Sequence, residues 1–151
     1  MDLVEGRRAT SPATSELESR GRKWARLALG AIYGAAGVLH LSVPRPFVDI
    51  TPAWVPHPEA VIAVTGVCEL LGAVGLLQTR SLAVRRWAGW GLAAYALCVW
   101  PANFHHMQID MARPGHGLGL GYHIPRLAAQ PLIIAWALWA SGALARVKRQ
   151  A

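Results

Sequence analysis

Cysteine is scarce in this chain: two among 151 residues, Cys68 and Cys98. They stand far apart and form no C-x-x-C pair, which excludes a self-contained thiol–disulfide mechanism. Buried cysteine usually serves as a small apolar side chain, and both are expected in that role inside helices. An iron–sulfur cysteine cluster, a haem attachment motif and a glycine-rich nicotinamide or flavin fingerprint are missing too. Any electron carrier would have to come from outside the chain. Charge is also sparse, at 15 % of residues against 54 % hydrophobic. A soluble four-helix bundle would place polar residues at helical spacing along each outer face. The stretch 127–145 carries only Gln130 and Ser141 as strongly polar side chains, which excludes that arrangement.

What the chain does have is long apolar runs, at 27–43, 60–77, 87–102 and 127–145. A helix needs about 20 residues to cross hydrocarbon, with a lower limit near 17 that flanking Trp or Arg extends. The expected fold is therefore all-α, a four-transmembrane-helix bundle with helices at about 24–43, 59–78, 86–104 and 125–146. Together these make one membrane domain, 24–146. Residues 1–23 are polar and rich in Ser and Thr, and read as a disordered cytoplasmic tail rather than a cleaved signal peptide.

The formal charge of +7 raises the question of nucleic acid. Placing the basic residues answers it. With the N-terminus cytoplasmic, Arg7, Arg8, Arg20, Arg22, Lys23, Arg26, Arg80, Arg85, Arg86, Arg146, Lys148 and Arg149 fall inside, and Arg45, Arg113 and Arg126 outside. Twelve against three of the 15 basic residues is a positive-inside pattern. It places both termini in the cytoplasm, makes anionic lipid the partner of the basic ends, and leaves no role for nucleic acid.

Ionisable residues inside the runs point to function, because hydrocarbon makes them costly. Glu69 lies about ten residues into the second run, which at 1.5 Å per residue is close to the bilayer midplane. Thr65, Gly66, Gly72 and Ala73 surround it at helical spacing, so its own face is small and suits close helix contact. On the first helix Tyr33, Ala36, Gly37 and His40 share a face, beside Gly30 and Gly34. The third ends in "CVWPANFHH", where Pro101 frees a carbonyl one turn back. The fourth opens with "HIPRLAAQPLI", where Pro125 suits a first turn and Arg126 and Gln130 stand at i, i+4.

Tyr33, His40, Glu69, Asn103, Arg126 and Gln130 are thus the candidate ligand-binding residues, expected in one outward-opening pocket. The alternative is a structural network that fixes helix registration. All six histidines fall on the outer side. His105 and His106 are adjacent and cannot face one ligand site, and "GLGLGY" between His116 and His123 fixes no geometry. Solvated interfacial histidines, with no metal site and no catalytic residues, are the expectation. The loop "PRPFVDITPAWVPHP", with five prolines around Phe47 and Trp54, reads as a non-helical cap across the pocket mouth.

The ordered features "AAGVLHLSVPRPFVDITPAWVPHPEAVIAVTGVCELLGAVGLL", "WPANFHHM" and "RLAAQPLII" resemble the DoxX-like family of small four-helix bacterial membrane proteins, over residues 37–136. The matching positions are Gly37, His40, Pro44, Phe47, Pro52 and Pro56, then Glu69, then Pro101 to Asn103, then Arg126, Leu127 and Gln130, with Leu41 and Val55 departing conservatively. The resemblance implies a multi-pass protein of the bacterial inner membrane, a redox-associated accessory that binds a quinone or other lipophilic molecule. Its expected partners are membrane lipids, a membrane or peripheral oxidoreductase, and further copies of itself. Small-molecule or proton transport and a purely structural assembly role are the competing expectations. An independent enzyme is the least favoured, since no nucleophile–base spacing supports one.

Overall fold

A computed structural model describes residues 18–145, so residues 1–17 of the expected tail and the basic residues from Arg146 onward lie outside the described residues. Among the described residues all regular structure is helical: α1 Arg20–Ser42, α2 Arg45–Val48, α3 Pro58–Leu77, α4 Leu82–Ala112 and α5 Leu120–Ala140. Helices α1 and α3 are long and apolar enough to cross a membrane.

Start signals sit where capping chemistry puts them. Ser19 caps α1 by accepting from the Arg22 amide, and Ser81 caps α4 by accepting from Val84. Proline opens both α2 and α3. Helix α1 packs on α3, α3 on α4, α4 on α5, and α5 back on α1, while the short α2 rests on α3. The apolar centre is small and consists of Leu29, Tyr33, Ala73, Leu76, Leu92 and Ala137.

Glycine sets the α1–α3 crossing. A Cβ on Gly37 would stand 2.8 Å from the Gly66 carbonyl oxygen, and one on Gly66 would stand 3.1 Å from the Gly37 carbonyl. The two backbones therefore touch at this level. The expected small pair Gly30 and Gly34 lies further along, and Gly34 makes only an ordinary contact with Ala73.

Several boundaries differ from the sequence expectation. The third helix runs to Ala112 instead of ending near 104, because Asn103 and Asp110 keep its inner face buried beyond the apolar run. The fourth begins at Leu120, so Pro125 lies inside α5 and not in its first turn, and α5 stops at Ala140 instead of 146. The proline-rich connection is not wholly non-helical: Pro44 starts the single turn α2. Residues 18–23 are not tail, since Glu18 and α1 are built into the fold. Both cysteines are exposed on helix surfaces and not buried.

One end of the molecule gathers the basic residues. Arg26, only 1 % exposed, donates through Nε to Glu18 at 2.8 Å and through NH1 to the Leu76 carbonyl near the end of α3. The same Glu18 carboxylate accepts from Arg85 of α4 at 3.1 Å. Arg22 lies over the Trp139 ring, and the Trp136 indole donates to the Ala25 carbonyl. Glu18 thus joins the starts of α1 and α4, while Arg26 satisfies an orphan carbonyl near the end of α3. The Arg26 hydrogen bond, helped by the charges of Arg26, Arg85 and Arg22, holds the Glu18 carboxyl below its ordinary value of 4.5 despite the opposing effect of burial.

Candidate functional site

On these antiparallel helices His40 and Glu69 each follow a crossing glycine by three residues, one on either side of the contact. The close backbone approach is what lets these side chains meet: His40 Nδ1 lies 2.7 Å from Glu69 Oε2. The same Nδ1 is 2.9 Å from the Ala36 carbonyl of its own helix. The two oxygens share this one ring nitrogen, with the carboxylate the nearer. Glu69 Oε2 is buried against the imidazole. The other carboxylate oxygen, Oε1, accepts from the Tyr95 hydroxyl at 2.8 Å. Tyr95 in turn packs edge-on against Tyr33, with ring centroids 6.1 Å apart.

These groups form part of the wall of a cavity of about 420 Å³. Its remaining surface is mainly aliphatic and aromatic, with Phe47, Trp54, Ile62, Ile133 and Trp136 prominent. Phe47, near the end of the α2 turn, stacks on His40 at 3.9 Å between centroids, so the proline-rich connection covers one side of the histidine.

All six residues singled out in the sequence, Tyr33, His40, Glu69, Asn103, Arg126 and Gln130, line this one cavity. They are not equivalent. Gln130 donates to the Ala96 carbonyl at 2.6 Å, and Asn103 donates weakly to Gln130 at 3.5 Å. Much of their hydrogen-bonding capacity therefore goes to holding α5 against α4, next to the position where Pro101 interrupts the backbone ladder. Arg126 faces the cavity while its NH1 donates to His106 Nδ1 at 2.7 Å, and its guanidinium lies over the Tyr122 ring.

Sequence reasoning missed two participants. Tyr95 was hidden within an apolar run, although it stands seven residues before Ala102 and eight before Asn103 on one helix face. Asp110 was passed over because it lies beyond the expected end of its helix. It is buried, accepts from the Leu118 amide and from Arg113, and lies 3.0 Å from His123 Nε2. This corrects the expectation of solvated histidines: His123 is fully buried, and His106 is largely covered.

The fold and site describe a helical protein with two helices apolar enough for a membrane and a carboxylate–imidazole–phenol group set in an apolar cavity. The chain belongs to the family described as "Domain of unknown function (DUF8561)", whose model matches residues 29–141. That range includes every cavity residue named above, and leaves the Glu18–Arg26 clasp outside it. No curated protein and no solved structure matches the chain.

Proposed function

We propose that the chain is a multi-pass protein of the bacterial inner membrane, a four-span bundle related to the DoxX-like proteins with both termini in the cytoplasm. In this reading it is a redox-associated accessory that binds a quinone or another lipophilic molecule in the cavity and supports a partner oxidoreductase. Support for the membrane placement comes from the surface. Large apolar side chains stand outward on all four long helices, including Ile32, Leu71, Leu97 and Leu132, while Glu69, Asn103, Asp110, His123 and Gln130 are buried. Water would penalise that distribution, and hydrocarbon favours it. The basic clasp at one end matches a cytoplasmic face.

The observation that carries the ligand reading is Glu69, a buried carboxylate set between His40 and Tyr95 at the wall of an apolar cavity. A carboxylate oxygen accepts more than one hydrogen bond, and a ligand hydroxyl reaching the cavity wall could share Oε2 with His40. A quinol offers that hydroxyl on a flat ring suited to aromatic walls, and His40 stands on the same carboxylate to accept or return a proton while the Tyr95 hydroxyl holds the other oxygen. The bracing alternative has its own support at Gln130 and Asn103, which we read as the structural side of the cavity. The test is mass spectrometry of small molecules that co-purify with the protein in lipid. Wild type is expected to carry a lipophilic ligand that folded Glu69→Gln has lost; identical ligand content in the two would overturn the reading and leave Glu69 as a brace.

A further inference from the structure

A second cluster of chemistry-bearing side chains lies outside the cavity. His106, Asp110 and His123 each offer one ligand atom, and these atoms lie within 4.8 Å of one another. Asp110 Oδ2 is 3.0 Å from the His123 nitrogen and 3.6 Å from the His106 nitrogen. Donor atoms at about 2.0–2.1 Å from a tetrahedral zinc ion stand about 3.3–3.4 Å apart, so the two distances bracket what such an ion requires. We propose that His106, Asp110 and His123 form a binding site for a divalent transition-metal ion of the zinc or iron(II) class, with at least one coordination position left open.

Three features of the fold support a built site. His106 and Asp110 are one turn apart on α4, which places both side chains on one helix face. His123 comes from α5, is wholly buried, and is held by Asp110 at Nε2 and by edge-on packing against His106 and Tyr122; a metal ion at Nε2 would place its ring proton on Nδ1. The connection between the helices is folded closely over the carboxylate: Gly117, at φ +53°, leaves no room for a Cβ beside Asp110, and the Leu118 amide donates to Oδ2. Arg113 takes the other oxygen, Oδ1, so it orients the carboxylate without standing between the imidazoles. Two imidazoles and one carboxylate are a donor set for zinc or iron(II), and an unsuitable one for magnesium, which prefers an all-oxygen shell.

The site also reaches the cavity. Arg126 can only donate, so His106 Nδ1 accepts from it and the ring proton sits on Nε2. A metal ion at Nε2 displaces that proton, and the neutral ring then carries its proton on Nδ1. Arg126 and His106 would now both present donors, and Arg126 would turn away toward the cavity it already lines. Metal occupancy and the charge presented to the cavity are therefore linked through one imidazole, and by reciprocity each site affects the other.

The test is calorimetric titration of the full chain, purified in lipid and stripped with chelator, with Zn2+ and with Mg2+. We expect one zinc ion per chain and no magnesium binding. His106→Ala and Asp110→Asn are each expected to weaken zinc binding at least tenfold, whereas His116→Ala, outside the cluster, leaves it unchanged. Arg126→Gln is expected to tighten it several-fold by releasing Nδ1. Zinc should also raise the melting temperature of wild type, a readout that stands even if a variant fails to fold. Absence of saturable zinc binding in wild type, or unchanged affinity in both ligand variants, would overturn the proposal. Weaker zinc binding in Arg126→Gln would overturn the link to the cavity.

Discussion

Arg26 shows how much one side chain holds in place here. It is buried, paired with Glu18, and donates to the Leu76 carbonyl, so replacing it leaves the helix-end carbonyl without its donor and the carboxylate with Arg85 only. Removing one partner of a buried ion pair typically costs 3–5 kcal/mol; with Glu18 partly accessible and able to keep Arg85, Arg26→Met should cost about 3 kcal/mol. Thermal unfolding in detergent would measure the loss. Glu18 gives the matching pH dependence. Its folded pKa lies below its ordinary 4.5, so the unfolded chain binds the proton first. The stability it adds is complete above 4.5 and is lost as pH falls through the folded value. Wild type should therefore lose melting temperature more steeply than Glu18→Gln on acidification from about pH 5 to 3. Parallel curves would place the acid sensitivity elsewhere.

At the scale of the helix, the crossing of α1 on α3 decides whether the cavity chemistry exists. Gly37 and Gly66 bring the backbones into contact, and His40 and Glu69 follow three residues later on each helix. Gly37→Ala forces a methyl group against a carbonyl that cannot yield, so the helices must part. Overpacking of this kind costs about 1–3 kcal/mol, and because it separates His40 from Glu69 it should also abolish ligand retention. A melting-temperature measurement alongside the co-purification assay checks both effects; unimpaired ligand content in the variant would count against the crossing as the determinant. Much of this was legible in the sequence, because glycines and polar residues at i, i+3 on two apolar helices define a shared face. Which small residues make the contact was not legible: Gly30, Gly34 and Gly37 all lie on α1, and only the relative shift of the helices separates the choices. Helix ends were harder for a physical reason. Apolar content marks the membrane-like part of α4, whereas Asn103, His106 and Asp110 extend it on buried polar contacts that hydropathy does not register.

At the scale of the whole molecule, large aliphatic side chains stand outward on the four long helices among the described residues, while Arg26, Glu69, Asp110 and His123 are buried. The outer histidines illustrate what composition alone misses. Six of them read as an interfacial scatter in one dimension, yet the turn at Gly115 to Gly119 carries α5 back beside α4 and brings His123 against Asp110. The cavity residues came together because each lies on an inward helix face. Tyr95 escaped notice because a phenol inside an apolar run carries no spacing signal until its carboxylate partner on another helix is known. In the proposed function this cavity holds a lipophilic ligand through Glu69. Trp54 and Trp136 line it and supply an optical signal. The most direct measurement is a fluorescence titration of the protein in lipid nanodiscs with a short-tailed benzoquinol, wild type against Glu69→Gln. The account predicts saturable quenching in wild type and affinity at least tenfold lower in the variant, a loss of about 1.4 kcal/mol. Quenching that never saturates, or the same affinity in both proteins, would contradict it.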